Sequence, residues 1–109
     1  MEPLTVVKEI LPERLWPAVD FPNLVNIIVD LDRHATVHLR LPSGNLKIRI
    51  LGGPLVTDTE IRDITDHPLL RSGWSANNSL TIAGSNIRVS RIVSYGETTG
   101  LTIHVEPAR

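Results

Sequence analysis

The chain has 109 residues, 12 Asp and Glu against 11 Lys and Arg, and no cysteine, which is enough for one domain with its own core and too few for two. The net charge of −1 lacks the basic surplus of a domain that lives on nucleic acid, the missing cysteine excludes disulfides and thiolate metal sites, and no apolar run is long enough to span a membrane. Glu2, Lys8 and Glu9 stand where a signal peptide would need its apolar stretch, so the sequence predicts a cytoplasmic chain.

Residues 4–19 (LTVVKEILPERLWPAV) read as one or two short helices, because Leu4, Val7 and Leu11, then Leu11 and Leu15, follow helical spacing. Pro12 is placed to open the second helix and Pro17 to close it. Residues 24–30 (LVNIIVD) are an apolar, β-branched strand. Residues 35–41 (ATVHLRL) alternate, with Val37, Leu39 and Leu41 inward and Thr36, His38 and Arg40 outward. Leu31-Asp32-Arg33-His34 makes the turn between them. Pro42-Ser43-Gly44-Asn45 makes the next turn. Residues 46–51 (LKIRIL) then set Leu46, Ile48 and Ile50 against Lys47 and Arg49, completing a three-stranded meander.

Gly52-Gly53-Pro54 breaks the sheet. Thr57 and Glu60 have the spacing of a capping box, and Val56 and Ile61 that of a hydrophobic staple, predicting a helix over 58–66 with Ile61 and Ile64 inward. His67-Pro68 ends it. Leu69, Leu70 and Trp74 are expected as loop anchors. A second meander follows: strands at 79–84, 87–95 and 101–106, with turns at Gly84-Ser85-Asn86 and over 96–100. The expected fold is α+β: one small mixed sheet of about six strands, in two three-stranded meanders, with an N-terminal helical segment and one central helix.

Candidate chemistry is sparse. The four histidines share no helical face and have no cysteine beside them, so ordinary surface roles outweigh a metal site. Asp30 and Asp32 bracket a turn, where aspartate side chains satisfy backbone donors. No serine stands in a nucleophile elbow, and Gly52-Gly53-Pro54 lacks the lysine of a phosphate-binding loop. Arg88 and Arg91 are the more informative pair. Three apart on a strand, they point to opposite faces. If Ile87, Val89 and Val93 face the core, Arg88 faces out and Arg91 lies among inward positions. There it is costly unless paired or at an edge: it is either a solvated arginine at the sheet rim or a contact to a phosphate or carboxylate through its guanidinium fork.

Residues 76–105 (ANNSLTIAGSNIRVSRIVSYGETTGLTIHV) resemble the end of the N-terminal domain of hexameric secretion-type ATPases, in particular relatives of the stage III sporulation protein AA. Those carry a D-N-R-A-G-I segment, an R-I-S strand, and G-L-T followed by alternating apolar residues. Asn77-Asn78, Arg88-Val89-Ser90 and Gly100-Leu101-Thr102 stand in the same order here. LVNIIVDLDRHATVHL (24–39) is similar to their L-x-E-V-x-x-D-L-G-R stretch, and ILPERL (10–15) to their opening helix. Type IV pilus motor ATPases have a looser version of the same layout. Asn78-Ser79 departs from the usual Asn-Arg, and Asp32 from a glycine.

The resemblance implies a noncatalytic domain that packs on the RecA-like motor domain of a neighbouring subunit, or on itself, in a ring. Arginines of its last strands would approach nucleotide phosphates, with Arg88 at the matching position and Arg91 nearby. ATP and Mg would belong to an attached motor domain, because this chain has no Walker segment. The alternative is a free-standing structural or adaptor module of a phage or secretion particle, adding partner strands at edges formed by 46–51 or 101–105. Weak nucleic-acid binding through Arg40, Lys47, Arg49, Arg88 and Arg91 would require all five on one face.

Overall fold

A computed structural model describes residues 3–105. Glu2, and Glu106 at the end of the last predicted strand, lie outside the described residues. The six strands form one sheet: β1 (Leu24–Asp30), β2 (Thr36–Arg40), β3 (Leu46–Ile50), β4 (Ser79–Thr81), β5 (Arg88–Ser94) and β6 (Glu97–His104). Their order is β3-β2-β1-β6-β5-β4, and every neighbouring pair is antiparallel. The two meanders are thus joined through β1 and β6, with Ile27 opposite Ile103 and Val29 opposite Leu101. This places the predicted 101–105 edge at the centre of the sheet; the free edges are β3 and β4.

One face of the sheet is covered. Ile27, Val29, Val37, Val89, Leu101 and Ile103 meet α1 (Pro3–Ile10), a 3-10 segment (Glu13–Asp20) and α2 (Asp58–Thr65) in a single apolar core. In α1 the buried residues are Val6, Val7 and Ile10, while Leu4 turns outward, contrary to the predicted stripe. The Trp16 indole N–H reaches back to the Lys8 and Leu11 carbonyls at 2.9 and 3.1 Å, satisfying acceptors that a helix end leaves open. Pro12 sits just before the 3-10 segment, and Pro17 lies inside it rather than at its end.

The predicted capping box is formed: Thr57 Oγ1 accepts from the Glu60 N–H, and the Glu60 carboxylate accepts from the Thr57 N–H. Val56 and Ile61 are both fully buried, as the staple requires.

Two further sequence expectations are corrected. The second hairpin turns at Tyr95-Gly96, whose φ values of 52° and 78° make a two-residue primed turn, so β6 begins at Glu97 and Gly100 lies within it. A register shift between Ile92 and Val93 takes Val93 out of the core alternation and leaves it exposed. The alternation of β3 left its inward face open, and its register on β2 decides it. Val37 pairs with Arg49, and Leu39 with Lys47. The charged residues therefore lie on the helical side, and Leu46, Ile48 and Ile50 on the uncovered side. All five β3 residues are exposed, so the helical layer ends before it reaches this strand.

Candidate functional site

The side of the sheet opposite the helices carries a polar row that crosses four strands. Pairing aligns His38 of β2, Asn26 of β1, His104 of β6 and Arg88 of β5, with Ile48 of β3 continuing the row at one end and Thr81 of β4 at the other. The alternation that buries Ile27 and Ile103 forces Asn26 and His104 to this side. The Asn26 amide bridges both rings: Nδ2 donates to His38 Nδ1 at 3.2 Å, and Oδ1 accepts from His104 Nδ1 at 2.7 Å. One amide cannot offer the same group to both, so the two neutral imidazoles take opposite tautomers. Each leaves its Nε2 outside this bridge, one as acceptor and one as donor.

Arg88 is exposed, and among the described residues no carboxylate pairs with it. Arg91 lies on the opposite face, as its spacing from Arg88 required. Its guanidinium stacks over Trp74 at 4.3 Å from the ring centroid, its Nε donates to Asn78 Oδ1 at 3.2 Å, and its backbone N–H to the Asn78 carbonyl at 2.9 Å. The Trp74 indole N–H in turn donates to the Leu70 carbonyl at 2.7 Å. Arg91 thus closes the loop before β4 against the sheet, with a cation–π contact in place of an external anion. The structure does not bring the two arginines together.

One row further along, this face carries Thr36, Thr102, Ser90 and Ser79. Asp30 lies four residues beyond Asn26 on β1, about 13 Å along the strand. Its carboxylate leans over Gly100 of β6, where an added Cβ would collide with it. Among the described residues no carboxylate therefore lies in the row of the imidazoles to act with them as a proton-transfer pair. His34 lies in the β1–β2 turn, and His67 Nδ1 accepts from the Leu69 N–H. Among the described residues no group of three or more His, Cys, Asp or Glu side chains could hold a metal ion.

The row is a surface for hydrogen bonding and for presenting one arginine. Sequence reasoning singled out Arg88 and put His38 and His104 on outward positions. It missed Asn26 because the row is created by strand pairing between residues far apart in the chain. The five cations proposed for nucleic-acid contact divide between faces, Arg40 and Arg88 on one side and Lys47, Arg49 and Arg91 on the other.

Depressions lined by Asp58, Arg62 and Glu97, and by Pro17 and Phe21, measure about 160 and 200 Å³. Both fall below the roughly 300 to 1,000 Å³ of ordinary small-molecule sites. Among the described residues no helix is long and apolar enough to cross a membrane. No family model matches the chain, and no curated protein is detectably similar to it.

Proposed function

We propose that this chain is a noncatalytic assembly domain of the cytoplasm, which docks on a protein partner through the uncovered face of its sheet and uses Arg88 as its principal contact. The observation that carries this reading is the contrast between the two arginines. Arg91 is engaged with Trp74 and Asn78, whereas Arg88 stands exposed in an ordered polar row. An exposed arginine beside preorganised hydrogen-bonding groups is a usual anchor for a carboxylate or phosphate.

The resemblance to secretion-type ATPase N-terminal domains supports a RecA-like motor domain, or further copies of this chain in a ring, as the partner. Arg88 would then approach the motor's nucleotide, and ATP and Mg would be the motor's ligands. Sedimentation of the chain alone, and mixed with a RecA-like motor domain with and without Mg-ATP, tests this directly. We expect association that Arg88→Ala weakens at least tenfold while leaving the fold intact. A strictly monomeric chain with no affinity for motor or nucleotide overturns it.

The adaptor alternative is favoured by a separate observation, the open edge of β3. Association with a non-motor protein, undiminished by Arg88→Ala, would establish it instead.

A further inference from the structure

β3 ends the sheet, and its edge has a defined chemical pattern. The Leu51 N–H donates to the Ala35 carbonyl and the Leu41 N–H to the Asn45 carbonyl, and five regular pairs lie between them. Residues 45, 47, 49 and 51 therefore direct their backbone groups toward β2. By the same alternation the N–H and C=O groups of Leu46, Ile48 and Ile50 point away from the sheet. These groups are the template that an added strand requires.

The side chains above and below this edge differ in kind. On the uncovered face Ile48 and Ile50 are 63% and 68% exposed, and Leu46 is also exposed. On the other side stand Lys47 and Arg49, with the Arg49 guanidinium over the Phe21 ring at 5.7 Å. No proline and no register shift interrupts Leu46–Ile50. Of the usual devices that blunt an edge, only the two cations are present.

Those cations discriminate between partners. A second copy adding its β3 antiparallel, centred on Lys47, Ile48 or Arg49, sets Lys or Arg directly opposite Lys or Arg. Like charges so placed are destabilising. A strand with acidic residues at the alternate positions turns both repulsions into cross-strand ion pairs and brings apolar residues beside Leu46, Ile48 and Ile50.

We infer that the β3 edge accepts an antiparallel strand from a partner protein in which apolar and acidic residues alternate. Arg88 lies on β5, four strands across the sheet from this edge, and the inference does not depend on the reading of Arg88.

The test uses the full chain and three capped heptapeptides that alternate valine with glutamate, with lysine or with serine, followed by amide shifts and amide exchange. The glutamate peptide should give saturable shifts over Leu46–Ile50 and slow exchange of the Ile48 amide. The lysine peptide should bind at least tenfold more weakly. Ile48→Pro removes one outward N–H at a position where an edge strand tolerates proline, and should abolish binding. Lys47→Glu with Arg49→Glu should invert the preference from the glutamate to the lysine peptide. This pair carries the test if the proline variant does not fold. Arg88→Ala should leave peptide binding unchanged. The inference is overturned by an absence of saturable shifts at β3 with millimolar peptide, by equal binding of acidic and basic peptides, by a folded Ile48→Pro chain that binds normally, or by self-association of the chain through β3.

Discussion

Arg14 and Glu60 stand 46 positions apart and meet through two contacts, Nε to Oε2 at 2.5 Å and Nη2 to Oε1 at 2.8 Å. The pair joins the 3-10 segment to the first turn of α2, where Glu60 also completes the capping box. The hydrogen bond from Arg14 holds the Glu60 carboxyl below the usual carboxylate range; the Thr57 N–H and the Arg14 charge add to this, and burial opposes it. With the folded pKa depressed, the unfolded chain binds the proton more readily. The stabilisation is therefore complete above the ordinary carboxylate pKa of about 4.3 and is lost as pH falls through the depressed value. Glu60→Gln should lower stability by about 0.5–1 kcal/mol at pH 7, and denaturant titrations should show that gap closing in acid. A gap independent of pH would assign the effect to the cap alone. At the same scale, the Asn26 bridge predicts opposite tautomers for neutral His38 and His104, read from imidazole ¹⁵N shifts. Asn26→Ala should abolish that asymmetry, and identical tautomers in the unaltered chain would rule the bridge out.

Among the elements, the β5–β6 hairpin carries a local conflict. Tyr95 occupies the first position of a primed turn at φ 52° and is 106% exposed. An L-residue other than Gly, Asn or Asp is disfavoured in that conformation, and the side chain buries nothing to offset it. Tyr95→Asn should therefore raise stability by about 0.5–1 kcal/mol, measured by denaturant unfolding. An unchanged or lower stability would mean that the ring makes a compensating contact in solution. The α2 cap is the opposite case, in which every local choice agrees with the fold. Thr57→Ala should cost about 1 kcal/mol.

For the whole molecule, the decisive junction is the β1–β6 pairing. It brings Ile27 and Ile103, both fully buried, to the centre of one core shared by both meanders. With one core and 109 residues, unfolding should be a single cooperative transition. Ile103→Ala should cost about 2–5 kcal/mol while leaving one transition. A variant that loses one meander and retains the other would contradict the shared core.

Sequence alone determined much of the local structure. Turn residues such as Pro42-Ser43-Gly44 and the Thr57–Glu60 spacing act within a few positions, so the hairpins other than β5–β6, the start of α2 and the outward places of Arg88, His38 and His104 were legible. The period of two in LKIRIL was legible as well, but a period does not say which face is the core. For β3 that was decided by its register on β2, which sets Arg49 beside Val37 and turns Ile48 outward. A strand at the rim, beyond the helical layer, gains little from burying either side, so its own hydrophobicity does not orient it. The Asn26 bridge and the central place of β6 arise the same way. Both depend on β1 pairing with a strand more than seventy residues later, a contact set by how two meanders close over one core.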